Sequence, residues 1–351
     1  MKKRGIGMAS MWYGIGNTGL PNPAGAYVDL LDDGTVLVLT GCADIGQGST
    51  TALAQIAAEE LGVKIGDVRV VSADTGVTPD AGASSASRQT YISGNAVRMA
   101  AQQAKAVIVE AAAEALGVGL TDIIAADRML TVRTQSDKSK DLVDCQAECQ
   151  IALGLTPGTD AKSISIVDCI AKCRAKGKLS LGHGWFNPDT TGLDMETGQG
   201  RPYATYAFAT QVVEVEVDTE TGVVDVIQIV AAHDVGKAIH PQNVEGQIEG
   251  GCAIGLGYAL MEEVQVKQGN VATANFTTYV LPTSLDVPPI QSIIVEDPAV
   301  TGPFGAKGVG EPALIPTAAA IANAVYNAVG VRITDLPITA DKVLAKLQLQ
   351  G

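Results

Sequence analysis

With 351 residues, 46% of them apolar, the chain can bury a substantial core in one large domain or two medium ones. A formal charge of −14, from 24 basic against 38 acidic residues, excludes a nucleic-acid binder, whose phosphate contacts demand a basic footprint. Gly, Pro or a charge interrupts every apolar run before the ~20 residues of a bilayer span, and no apolar stretch follows Met1-Lys2-Lys3-Arg4; the expectation is a cytoplasmic chain with a natural start at Met1.

Gly14-Ile15-Gly16-Asn17-Thr18-Gly19 matches the dinucleotide fingerprint G-x-G-x-x-G, but Leu20-Pro21-Asn22-Pro23 follows where that fingerprint needs a helix, which rejects a Rossmann reading. Alternating segments at 26–31 and 35–39 flank Asp32-Asp33-Gly34 and predict a hairpin. Gly46, Gln47 and Gly48 then lead into a helix at 50–61. Glycines let backbone N–H groups approach a ligand, a helix start favours an anion, and the amide of Gln47 donates and accepts at once. A tight turn capped by Ser49 or Thr50 explains the same residues.

A strand is predicted at 68–72. The small and hydroxyl residues Ser84, Ser85, Ala86, Ser87 and Gln89 precede a long Ala-rich helix at 95–116; they suit a phosphate cradle with Arg88 as charge partner, or equally a solvated loop ending in a helix cap. The connection at about 134–187 holds polar residues 135–141 and cysteines at 145–173. The Gly/Pro/Asp-rich 182–200 predicts an exposed or partner-facing loop.

The same order of signals then returns. Strands at 211–217 and 223–231 flank Asp218–Gly222, Gly246-Gln247 opens a second Gly-rich helix toward 260, a strand covers 290–296, and a helix of small residues covers 312–329. The expected fold is α+β, two tandem duplicated hairpin–helix–strand–helix units divided near residue 180 (1–180 and 181–351). In Lys307-Gly308-Val309-Gly310-Glu311-Pro312, Pro312 predicts the first residue of that last helix. Glu311 then stands where the helix dipole favours its ionised form while burial opposes it, a balance that suits a general base. An ordinary acid at a helix start is the other reading.

Six cysteines include two C-x3-C pairs, Cys145/Cys149 and Cys169/Cys173. They are compatible with buried thiols on amphipathic helices, with two disulfides, or with a thiolate zinc site. His183, His233 and His240 form no ligand cluster in sequence, so no protein-ligated metal is expected.

Four motifs in fixed order resemble the xanthine dehydrogenase/aldehyde oxidase family of molybdenum hydroxylases, over nearly the whole chain. They are Asp44-Ile45-Gly46-Gln47-Gly48; Ser85-Ala86-Ser87-Arg88-Gln89-Thr90 with Gly94-Asn95-Ala96-Val97; Asn243-Val244-Glu245-Gly246-Gln247-Ile248-Glu249-Gly250; and Lys307-Gly308-Val309-Gly310-Glu311-Pro312. The resemblance is to the C-terminal half of the molybdopterin-binding subunit. It implies cofactor contacts at Gln47, Ala86, Ser87, Gln89 and Gln247, with Gly46, Gly48, Ser85, Arg88 and Gly310 beside them. Glu311 becomes the base of a water-using hydroxylation at an electron-poor C–H carbon of an N-heterocycle or aldehyde. It further implies molybdenum held by the pterin dithiolene, in a cofactor of the cytosine dinucleotide form, and electrons passed to Fe–S and FAD subunits. The family's N-terminal half, with its Phe-Gly-Gly motif, has no counterpart before Met1. The chain therefore resembles the medium member of a split pair, as in nicotinate dehydrogenase, with a large subunit as partner; a non-catalytic scaffold that keeps the fold is the alternative.

Overall fold

A computed structural model describes residues 1–17, 20–133 and 162–349. They form two compact units: a first of residues 14–205 and 297–308, and a second of residues 1–13, 206–296 and 309–351. A single cut near residue 180 does not describe this division, because the basic N-terminal segment is a strand, β1 (Lys2–Gly14), of the second unit's sheet.

In the first unit, β2 (Ala24–Leu30) and β3 (Val36–Thr40) form the expected hairpin, with Leu30 opposite Val36. Helix α1 (Ser49–Leu61) then carries the chain over to β4 (Val68–Ser72), parallel to β3. A π-helical turn at Gln89–Ser93 leads into α2 (Gly94–Leu116), which stops where Gly117 takes a left-handed conformation. A small sheet of β5 (Ile123–Ala126), β6 (Met129–Val132) and β7 (Ser163–Ser165) follows, then α3 (Ile166–Ala175).

Part of the segment expected as a loop is instead β8 (Leu181–Phe186), which completes the order β4-β3-β2-β8. It reads as loop because of Gly182 and Gly184, yet these glycines are what seat it. A Cβ at either would stand 1.9 Å from a backbone oxygen of α2, so only a bare strand lies flush on that helix. The loop proper begins after Phe186.

The second unit opens, after β1, with a long hairpin of β9 (Tyr206–Asp218) and β10 (Val224–Asp234), and α4 (Pro241–Leu260) follows. A short hairpin, β11 (Val266–Lys267) with β12 (Asn270–Val271), precedes β13 (Ile290–Val295), parallel to β10. After it come a 3-10 turn at Glu311–Ala313, α5 (Thr317–Val329) and α6 (Ala340–Gln348). The sheet order is β1-β9-β10-β13.

Strict alternation in β9 buries Val213, Val215 and Val217 in one cluster with Ile248 and Leu256 of α4 and Ile321 and Val325 of α5. Each such side chain contributes roughly 1.5–3 kcal/mol on burial. That face is the core, and α5 packs on it. Among the described residues, Glu311–Val329 alone has the length and apolarity of a bilayer span; half of it is buried within the protein, as in a core helix.

Two expected helix starts shift. Helix α4 begins at Pro241, before Gly246-Gln247, because Pro241 presets the helical φ and His240 accepts the Asn243 N–H through Nδ1 at 3.2 Å. The helix expected from 312 begins only at Thr317. Pro316 has no N–H to give the carbonyl four residues back, so the chain makes a separate three-residue turn first.

Candidate functional site

In the first unit, Gly46 (φ 106°) and Gly48 (φ 79°) take left-handed conformations, and Gly48, in place of Ser49 or Thr50, caps α1. The anion expected at this helix start is the chain's own Asp44. Its Oδ1 accepts from Gly46 N at 2.9 Å and Gly48 N at 3.4 Å, and its Oδ2 from Thr50 N at 3.1 Å. Burial pushes the Asp44 pKa up, but the N–H groups of Thr50 and Gly46 outweigh it and hold the carboxyl below its ordinary range. The Gln47 amide folds back as well: Oε1 accepts from Ile45 N at 2.6 Å, and Nε2 donates to Ala43 O and Ser49 Oγ, each at 3.0 Å. Gly46 stays bare, with no atom within 4 Å of where a Cβ would stand.

The loop before α2 also differs from expectation. Arg88 is no surface partner for phosphate: it is 1% exposed, and its guanidinium donates to Asn22 Oδ1, Asn22 O, Pro23 O, Ala81 O and Ala83 O. Five N–H groups meet five acceptors, which leaves none for a ligand. Gln89 is likewise buried and turned inward, donating to Ala83 O and Ser84 Oγ and accepting from Ser93 Oγ. Ser84 Oγ in turn donates to Ala43 O at 2.8 Å, the carbonyl that also receives Gln47. This network ties the two loops together.

At the outer tip, Ser85 is exposed and Ala86 and Ser87 are half-buried; the last two hold φ of 53° and 50°, unusual for residues with a Cβ. Gly308, from the last motif, lies against this tip, where a Cβ would meet Ser87 O at 1.7 Å. Lys307 beside it is buried and 3.6 Å from Asp297.

In the second unit, Gln247 is half-buried in the second turn of α4, and Gly246 and Gly250 beside it leave open space where a Cβ would stand. Gly310 caps the 3-10 turn with φ −119° and ψ −90°, and half-buried Glu311 is the turn's first residue. A three-residue turn carries almost none of the dipole of a full helix, so the expected dipole support for Glu311 is absent. The turn is fixed by packing instead. Gly251 of α4 faces it, where a Cβ would lie 2.4 Å from Ala313 Cβ. Buried Gln211 of β9 donates through Nε2 to Ala313 O at 2.7 Å, and Thr317 Oγ1 donates to Gln211 Oε1 at 2.7 Å. No motif pointed to Gln211; its signal was a lone polar residue in the inward column of an alternating strand.

His233 of β10 stands beside it, Nε2 at 3.2 Å from Gln211 Nε2, with Nδ1 buried and no hydrogen-bond partner. Burial drives its pKa down to about 4 from 6.5. Unfolded chains take up a proton near pH 6.5 and the folded protein only near 4. Stability is therefore unaffected at pH 7 and falls as pH drops between those values. Urea unfolding should show a loss of about 2 kcal/mol at pH 5 relative to pH 7 that a His233→Phe variant lacks; an equal loss in that variant removes His233 as its source.

Cys145 and Cys149 lie outside the described residues. Cys169 and Cys173 are buried thiols of α3, which packs on α2, and burial pushes the Cys169 thiol up to about 11. This fits the reading as core residues for that pair. Among the described residues, no three His, Cys, Asp or Glu side chains gather as a metal site.

The family model described as "Molybdopterin cofactor-binding domain" matches residues 1–288. The xanthine dehydrogenase molybdenum-binding subunit of Escherichia coli O157:H7 is 33% identical over 357 aligned residues, covering 99% of this chain and 43% of that one. The crystal structure of quinoline 2-oxidoreductase from Pseudomonas putida 86 superposes with a TM-score of 0.83 at 26% identity, over 99% of this chain and 42% of that one. Aldehyde oxidoreductase from Desulfovibrio gigas gives a TM-score of 0.78 at 29% identity, over 99% and 33%. This chain thus spans less than half the length of each. It belongs to the molybdopterin cofactor-binding domain family, of the xanthine dehydrogenase and aldehyde oxidoreductase kind.

Proposed function

We propose that this chain is the C-terminal half of a split molybdenum hydroxylase subunit, with Glu311 as general base. The observation that carries the proposal is the turn at Glu311–Ala313, where one half-buried carboxylate is set on a backbone held by Gln211 and by the wall at Gly251. A base needs a fixed carboxylate that still reaches its substrate, and a half-buried side chain on a clamped turn meets both demands.

The cofactor fits the residues present through backbone more than through side chains. In the first unit Gly46 leaves bare main chain and Ser85 is exposed beside half-buried Ala86 and Ser87; in the second, Gly246 and Gly250 leave bare main chain and Gln247 is half-buried. Arg88, Gln89 and Gln47 act behind the loops, fixing the backbone that the pterin would lean on; Gly48 and Gly310 shape the turns. A bound molybdenum–pterin cofactor would supply the redox chemistry of the hydroxylation, including the sink for the substrate's electrons. Glu311 removes a proton through a carboxylate oxygen and later releases it to solvent.

The substrate proposed is an N-heterocycle of nicotinate or purine type, or an aldehyde, in line with the xanthine, quinoline and aldehyde named for the relatives. Partners are a large subunit carrying the other half of the molybdopterin unit and subunits holding Fe–S clusters and FAD, in the cytoplasm; the cofactor is the cytosine dinucleotide form. Elemental and pterin analysis of the complex purified through this chain should find about one molybdenum and one pterin per copy, as a single site requires. A complex with full partner content but neither molybdenum nor pterin would leave the scaffold reading in its place.

A further inference from the structure

We infer that Gln211 is a positioning residue that sets where Glu311 stands, acting through the carbonyl of Ala313 and the hydroxyl of Thr317. The inference rests on Glu311 being the base. Along β9 the inward column is Ala207, Ala209, Gln211, Val213, Val215 and Val217, all buried; position 211 alone is polar. Packing would be served by another Val there, and a buried amide is tolerated only where its atoms find partners.

Gln211 finds them on one segment. Its Nε2 lies 2.7 Å from Ala313 O and its Oε1 2.7 Å from Thr317 Oγ1. A carbonyl only accepts, so the nitrogen must face Ala313, which fixes the amide's orientation. The second N–H points toward His233 Nε2 at 3.2 Å and Cys252 Sγ at 3.3 Å. One side chain therefore bridges the 3-10 turn and the first residue of α5, whose own connecting bonds are longer: Ala313 N to Gly310 O at 3.2 Å, Leu314 N to Glu311 O at 3.1 Å and Thr317 N to Leu314 O at 3.3 Å. On its other side the turn meets α4 at Gly251 and cannot move that way. Loss of the bridge frees the turn to move on the β9 side only.

Hydrogen exchange on the full chain tests this in wild type, Gln211→Met and the near-isosteric Thr317→Val. The expected result is exchange at the Ala313 and Leu314 amides about tenfold faster in Gln211→Met and less so in Thr317→Val, with β9, β10 and α4 unchanged. In the loaded complex, assayed with xanthine, quinoline and benzaldehyde, kcat for a substrate that wild type oxidises should fall roughly 10²-fold in Gln211→Met with KM within about twofold. Unchanged exchange at both amides in folded Gln211→Met, or an equal rise across the whole sheet, overturns the inference. Should Gln211→Met misfold, the same comparison on Thr317→Val decides it. Full turnover in Glu311→Gln instead sinks the base assignment while leaving the exchange result as the measure of the clamp.

Discussion

Glu311→Gln is expected to retain its molybdenum and pterin and to lose turnover by about 10³-fold, within the span a positioned general base contributes. Gln matches Glu in shape and volume, so the half-buried site at the start of the turn accepts it, and the turn's contacts through Gln211 and Gly251 involve Ala313, which is unaltered. Thermal stability should therefore stay within about 0.5 kcal/mol of wild type. What the amide lacks is a basic oxygen able to hold a proton. Glu311→Asp keeps the chemistry and withdraws it by one methylene, so it should fall between the two, with most of its loss in kcat. Steady-state rates at saturating substrate, normalised to molybdenum, measure this. Turnover of Glu311→Gln within tenfold of wild type would remove Glu311 as the base.

The two long hairpins, the strands parallel to them and the longer helices were legible in the sequence; β1, β8 and the reason for several residues were not. The hairpin at Ala24–Leu30 and Val36–Thr40, the strand Val68–Ser72 and the helix Gly94–Leu116 announce themselves by period, because each buries one regular face. Strand β1 did not: its inward positions Gly5 and Gly7 are glycines, chosen because α5 backbone stands within 2.3 Å of a Cβ at either, so no apolar alternation signals the strand. The motifs marked the right loops but not what their side chains do. Arg88 and Gln89 read as ligands in a row of polar residues, yet inward direction is a property of the folded loop, not of spacing. Asp44 was read only as part of a motif, although an acid just before a helix start is the chain's own supply of the anion that start attracts. Gln211 lay at the edge of a predicted strand, and only the partners across the unit distinguish it from a solvated polar residue.

Arg88→Met should destabilise the protein by about 3–5 kcal/mol, because several buried carbonyl oxygens lose their donors together. Arg88 makes no ion pair among the described residues; carbonyl oxygens hold its guanidinium, Asp80 adds only a longer-range attraction, and burial outweighs it and lowers the pKa. Met fills the volume but leaves Asn22, Pro23, Ala81 and Ala83 without donors, each unmet acceptor costing about 1–3 kcal/mol unless water reaches it. Arg88→Lys keeps the charge with three donors in place of a planar fork of five, so it too should lose stability, by about 2 kcal/mol. Urea unfolding separates geometry from charge: equal stability of Arg88→Lys and wild type would mean that charge alone matters. The loop tip depends on the same anchor, since Ala86 and Ser87 sit in conformations disfavoured by on the order of 1 kcal/mol each that Arg88 helps to enforce through Ala81 and Ala83. Below its unfolding temperature, Arg88→Met should consequently lose pterin along with stability, whereas Glu311→Gln loses turnover alone. A folded Arg88→Met complex with full pterin content would mean that the cofactor does not lean on this loop.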